Sequence, residues 1–176
     1  MSFGEFHFLS LRDGLCVPVR EVRAEDAPAL RRLVGRSSSR SVYLRYFGPM
    51  KELSELQSRR FAEVDGIRRY ALVALDPEDE NEIVAVVRYD REGETDTAEY
   101  AALVEDRFQG RGLGLALTKR LIEAAREHDV EHLHALVLPE NTGMLHLLRG
   151  LDLPERQRWR EGIEHVEIDL RPESAA

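Results

Sequence analysis

The sequence predicts a mixed α/β (α+β) fold: a mainly antiparallel central sheet of about six or seven strands, flanked by helices. Three observations predict it. Alternating apolar runs pair up across short turns, as at Asp13-Gly14 and Glu161-Gly162, which is how antiparallel strands connect. Segments of helical periodicity fall between groups of strands instead of after every strand. One strand-like run, residues 98–104, leads through Gln109-Gly110-Arg111-Gly112-Leu113-Gly114 into an apolar-periodic helix over 115–128. The length of 176 residues suits one domain over 1–176 with a core over about 11–170.

The elements follow in order. Residues 6–11 and 15–22 read as a hairpin about Asp13-Gly14. Acidic residues and Pro28 open a helix that places Ala29, Leu30, Leu33 and Val34 inside. Ser37-Ser38-Ser39 breaks it and offers a cap for a second helix over 42–47; a third covers 53–64. Strands are expected over 70–75, 82–89 and 97–104. The glycine-rich turn and its helix come next, with Leu117, Leu121, Ala124 and Ala125 on one face. Residues 133–138 form a buried strand, and 141–149 a helix stopped by Gly150. The tail alternates over 156–159 and 163–170 about Glu161-Gly162.

Composition limits the function. No apolar run approaches the roughly 18–20 residues that cross a bilayer, so no membrane role is expected. Phe6, Phe8 and Leu9 lack the basic region and cleavage site of a signal peptide. Cys16 is the single cysteine, so no internal disulfide forms; it reads as a small buried hydrophobe, and the chain as cytoplasmic. The net charge of −8 argues against a general nucleic-acid binder and suits cationic partners. The choice between monomer and homodimer stays open.

The glycine turn carries the chemistry. Glycines alternating at a strand-to-helix junction let backbone N–H groups converge on an anion, with the helix N-terminus behind them. A P-loop is excluded, because no Lys-Ser/Thr pair follows the glycines. A dinucleotide fingerprint needs a third glycine where Leu115 stands. The pattern Gln/Arg-x-x-Gly-x-Gly/Ala is met by Gln109, Gly112 and Gly114.

That pattern resembles the coenzyme A loop of the GCN5-related N-acetyltransferases. The resemblance extends over about 11–170. It includes Leu11-Arg12-Asp13-Gly14, Val19-Arg20 with Glu25-Asp26, and Ser41-Val42-Tyr43-Leu44-Arg45-Tyr46-Phe47. Ala98-Glu99-Tyr100-Ala101-Ala102-Leu103-Val104 and Asn141-x-x-Met144 complete it. Together they look like the acetyltransferase module of bacterial protein-lysine acetyltransferases. The resemblance implies a sheet splayed between two central strands, acetyl-CoA as cofactor, and direct transfer to an amine. The implied acceptor is a protein lysine, such as one on an acyl-CoA synthetase. A small amine acceptor and a non-catalytic acyl-CoA sensor are the alternatives.

Site residues follow from the same resemblance. The amides of Gln109, Gly110, Arg111, Gly112, Leu113 and Gly114 hold the pyrophosphate, and Arg111 adds a phosphate contact. Ala102, Leu103 and Val104 run beside the pantetheine arm as an added strand would, and the N–H of Leu103 or a neighbour polarises the thioester carbonyl. Glu99 matches the catalytic glutamate. A lysine amine, with a reference pKa of roughly 10.4, must lose a proton before attack. Glu105 and Asp106 suit capping or solvation instead. Asn141 caps the following helix and contacts the coenzyme arm; Met144 lines the groove or packs in the core. Tyr43, Arg45, Tyr46 and Phe47 wall the acceptor groove. Leu148 stands where many relatives carry a tyrosine that protonates the leaving thiolate, so that general acid is missing here. The histidines show no metal-ligand spacing, and no metal is expected.

Overall fold

The computed structural model describes residues 6–173. The N-terminal hairpin joins β1 (His7–Ser10) to β2 (Cys16–Glu21). Three helices follow: α1 (Ala27–Arg36), α2 (Ser39–Tyr46) and α3 (Glu55–Ala62). Then come β3 (Arg69–Asp76), β4 (Asp79–Arg91) and β5 (Thr97–Val104). Finally α4 (Leu113–Glu127), β6 (His132–Val137), α5 (Thr142–Gly150), β7 (Glu155–Arg160) and β8 (Ile163–Asp169) complete the chain. Among the described residues the eight strands form one sheet in the order β1-β2-β3-β4-β5-β6-β8-β7. This exceeds the expected six or seven because both terminal hairpins join the sheet, β1 at one edge and β7 at the other. No helix among the described residues is long and apolar enough to cross a membrane.

Local chemistry explains the boundaries. Gly14 has φ +85°, and Asp13 Oδ1 accepts the Leu15 N–H at 3.1 Å, closing the first hairpin. Ser38 Oγ accepts the Ser41 N–H and caps α2, as the serine run suggested. Ser54 and Gln57 form a capping box on α3. Two expectations are corrected. Gly150 lies inside the last turn of α5 with ordinary φ; a Cβ there would sit 3.3 Å from Leu115, so close packing calls for the glycine. Cys16 is exposed on β2 and not buried.

The sheet separates two cores. On one face α4 and α5 cover it: Leu113, Leu117, Leu121 and Ala125 of α4 meet Leu72, Val87, Tyr89, Ala98 and Leu133. On the other, Leu30 and Leu33 of α1, Val42 of α2, Leu53 just before α3 and Ala62 of α3 pack with Ala71, Val73 and Leu103. β5 lies at the centre. It pairs antiparallel with β4 over its length but parallel with β6 only through Thr97, Ala98 and Glu99. α4 is the crossover that a parallel pair requires.

A buried ion pair fixes the start of α1. Arg20 and Asp26 are bidentate at 2.7 and 2.8 Å, and Asp26 also accepts the Arg23 N–H at 2.8 Å. Asp26→Ala leaves the Arg20 guanidinium buried without its partner. We expect a loss of about 3 kcal/mol, read as a lower urea midpoint at unchanged m-value.

Candidate active site

Beyond Glu99 the two central strands diverge and leave a cleft of about 730 Å³. Residues 99–104 of β5 form one wall and Ala135, Leu136 and Val137 of β6 the other. The glycine turn, the start of α4 and the cleft-facing side of α5 close one end. Leu44, Arg45, Tyr46 and Phe47 close another. Tyr43 is exposed and stands apart from this wall.

Strand alternation decides which β5 amides are free. The Glu105 N–H donates to Val84 O at 2.8 Å, and Glu92 N–H to Thr97 O at 3.0 Å. The register between them is unbroken. Bonding to β4 therefore falls on residues 99, 101, 103 and 105. Leu103 points its N–H at β4, while Ala102 and Val104 turn theirs toward the cleft. Of the donor expected at Leu103 or a neighbour, the neighbours Ala102 and Val104 are the ones that face the cleft. Gln109 Nε2 donates to Val104 O at 2.8 Å, which marks the cleft side of the strand.

The glycines of the turn have two different tasks. Gly110 and Gly112 have φ of +70° and +87°, a left-handed geometry that costs other residues about 1–2 kcal/mol. Gly114 is helical; a Cβ there would lie 2.9 Å from Leu147 Cδ1 and 3.4 Å from Val104 Cγ2. It lets the start of α4 sit against both β5 and α5. The amides of residues 110–115 donate to no acceptor among the described residues, whereas the Gln109 N–H is taken by Asp106 O at 3.2 Å. Those free donors at a helix N-terminus suit a pyrophosphate.

The cationic contribution comes from elsewhere than expected. Arg111 turns away from the cleft, pairs with Asp13 at 2.5 Å and lies over the Phe108 ring. Arg12, from the first hairpin, lines the cleft instead and crosses Gly112. No local signal in the sequence marked Arg12, because hairpin and turn meet only in the fold.

Asp106 ties the turn to α2. It accepts the Ser38 N–H at 2.9 Å and the Ser38 and Ser41 hydroxyls at 2.7 and 3.0 Å. Ser41 Oγ then accepts from Gln109 Nε2 at 3.1 Å. Desolvation pushes the Asp106 carboxyl up, but these donors together outweigh it and hold it below its ordinary value. Glu105, by contrast, is buried in ion pairs with Arg36 and Arg107, so neither acid is free for chemistry.

Glu99 is exposed at the lip where the strands diverge, beside Asp90 on β4 and His134 on β6. His134 stacks on His165, their nitrogens 3.2 Å apart. On α5, Asn141 Oδ1 caps the helix through the Met144 N–H at 3.1 Å, and Asn141, Met144 and His146 all line the cleft. Leu148 is 2% exposed and belongs to the core. Asp96, Glu131 and His132 bring ligand atoms within 4.8 Å of one another away from the cleft, a surface group of ordinary kind.

A sheet splayed around a backbone-lined cleft, with free amides at a helix N-terminus, defines a coenzyme-dependent acyl-transfer fold. Residues 38–152 match the acetyltransferase (GNAT) family. The chain belongs to that family; it is an acetyltransferase with acetyl-CoA as its donor. It is 31% identical to an acetyltransferase of Pseudomonas aeruginosa over 149 residues, 84% of this chain and 80% of that one. It is 34% identical to the acetyltransferase Pat of Mycolicibacterium smegmatis over 143 residues, 77% of this chain but 40% of Pat. Among solved structures, the GNAT domain of S. lividans PAT superposes with a TM-score of 0.86 at 32% identity, covering 93% of this chain and 96% of that one.

Two outcomes test this geometry. Gly112→Ala should weaken coenzyme A binding about tenfold by calorimetry, because a Cβ strains the turn and meets Arg12 Nε at 3.3 Å. Asp106→Asn should cost about 1 kcal/mol near pH 7, discounted for its exposure. The carboxylate is depressed on folding, so its stabilisation is present above the unfolded pKa and vanishes as pH falls through the folded one. The gap between wild type and variant in thermal melts should close below about pH 4.

Proposed function

We propose that this chain acetylates lysine side chains of proteins, with Glu99 as the base. One observation carries the reading: Glu99 is the single carboxylate among the described residues that line the cleft, and it lies at the exposed lip. Likeness to the S. lividans PAT domain over almost the whole chain supports a protein acceptor. So does Leu148, since the histone-type branch of the family also manages without the tyrosine. A cytoplasmic location fits the exposed thiol of Cys16.

Bound acetyl-CoA supplies the activated acetyl group as a thioester. The turn amides and Arg12 hold its pyrophosphate. Arg111, engaged by Asp13, supports the turn from outside. Ala102 and Val104 offer N–H groups along the pantetheine arm, and one of them polarises the acyl carbonyl. Asn141 spends its carbonyl oxygen on the cap and keeps its amide nitrogen for the arm; Met144 packs beside it. Glu99 takes the proton from the entering ammonium, directly or through water. Leu148 offers no proton to the leaving sulfur, and none is needed from the protein, because a free thiol titrates near roughly 8.5.

The test is coenzyme A release from acetyl-CoA with a panel of lysine-bearing proteins, an acyl-CoA synthetase among them, beside a panel of small amines. Proteins should turn over and small amines should not. Glu99→Gln should lower the rate about 10²–10⁴-fold at pH 7 and recover as the pH approaches the lysine pKa. An unchanged neutral rate removes Glu99 from the mechanism. Turnover confined to small amines replaces the acceptor, and coenzyme binding without turnover points to a sensor.

A further inference from the structure

Among the described residues, Arg88 is the one strongly buried cation near the cleft that the mechanism leaves unused. It sits on β4 opposite Ala101 and is 4% exposed. Its Nη1 donates to Phe61 O at 3.2 Å, and its guanidinium lies over the Phe61 ring, 4.7 Å from the centroid. Nε and Nη2 are fully buried and have no hydrogen-bond partner. Asp90 approaches Nε only to 3.6 Å and is partly exposed. Buried guanidinium donors without acceptors are costly, and native structures seldom leave them so. Burial, more than any neighbour, pulls the Arg88 pKa down to about 10; Asp90 raises it, while Arg45 and Arg69 lower it further.

Arg88 lines a small side pocket of about 20 Å³. It shares Arg45, Tyr46, Ala101 and Leu103 with the main cleft. Its other walls, among them Leu30, Leu33, Phe61 and Val86, are apolar. Burial pushes the Tyr46 hydroxyl above its ordinary pKa, so it stays a neutral donor beside two guanidinium groups. A side pocket with mainly apolar walls, next to the thioester strand and lined by an arginine with unsatisfied donors, suits a short chain with an anionic end. The space there admits one water-sized atom, such as a carboxylate oxygen.

We propose that Arg88, with Arg45 and Tyr46, forms a carboxylate subsite for the far end of an acyl group carried on coenzyme A, a succinyl-type half-thioester. The proposal rests on the reading of the main cleft as the acyl-CoA site. The enclosed, apolar-walled position favours an acyl chain over a carboxylate on the acceptor, which enters from the exposed lip at Glu99.

Calorimetry with succinyl-CoA, butyryl-CoA and acetyl-CoA on the full chain tests it without any acceptor. Succinyl-CoA should bind about tenfold or more tighter than its neutral counterpart butyryl-CoA. Arg88→Met should bring that ratio to about one, and Arg88→Lys should keep part of it. Thermal melts check folding; if Arg88→Met does not fold, Arg45→Met and Arg88→Lys report the same ratio. Equal affinities in the wild type, or a ratio that these variants leave unchanged, overturn the subsite while acetyl-CoA binding keeps the cofactor reading intact. Loss of all three ligands would instead overturn that reading. A preference for glutamate-flanked over glutamine-flanked lysine peptides, abolished by Arg88→Met and without any succinyl preference, would assign the carboxylate to the acceptor and overturn the acyl assignment.

Discussion

Thr97, Ala98 and Glu99 pair with His132, Leu133 and His134, and there the parallel pairing ends. Each strand keeps its outer neighbour, β4 for one and β8 for the other, so both stay in the sheet. The backbone groups that face inward past Glu99 lose a protein partner. Such groups are costly when buried and dry. Here they line a cleft of about 730 Å³, where an extended ligand with its own amides can pair with them. What makes the sheet locally incomplete is thus what makes it a binding site. Gly114 allows the separation to be filled on one side: it brings the start of α4 against Val104 and Leu147 together.

The chain carries a net charge of −8 yet binds an anionic coenzyme. Range resolves this. At physiological salt a charge more than about 8 Å away through solvent is largely screened. The amides of residues 110–115 and the side chains of Arg12 and Arg45 are local. Acids nearest the turn are occupied: Asp13 by Arg111, Glu105 by Arg36 and Arg107, and Asp106 by three donors around Ser38 and Ser41. The site is therefore less negative than composition suggests. Arg111, which the loop pattern nominated for phosphate, serves this local neutralisation.

What the sequence revealed was local. Asp13-Gly14 announced its hairpin, the serine run its cap, and the glycine spacing its turn, because each depends on backbone conformations that few residue types reach. Glu99 was legible as a charge in an apolar strand. What stayed hidden depended on residues distant in sequence. The Leu103 amide direction follows from the parity set where the Glu105 N–H meets Val84 O, between residues twenty-one positions apart. Arg12 reaches the cleft only because β1 and β2 lie beside the start of α4. Gly150 looked like a stop signal, but its real constraint is Leu115 on another helix. Cys16 opens a strand whose next four residues are buried on both faces, and its place at the strand end leaves it exposed.

In the proposed mechanism the proton traffic falls to one side chain, Glu99. Tyr100 adjoins Glu99 in sequence but faces the opposite side of the strand, where its hydroxyl bonds Thr118 Oγ1 at 2.7 Å. Full burial raises its pKa well above the ordinary phenol range, so it neither gives nor takes a proton near neutrality. Tyr46 is raised for the same reason. Arginines do not titrate in the working range. His146 lines the cleft from α5, beside Met144 and the cap residue Asn141, while Glu99 stands at the lip on β5. An ammonium entering from solvent meets the carboxylate first. The chemical demand is also one-sided: an amine near pKa 10.4 needs help to lose its proton, while a thiolate near 8.5 needs little help to gain one. The proposed base at the lip and a leucine in place of the acid match that asymmetry.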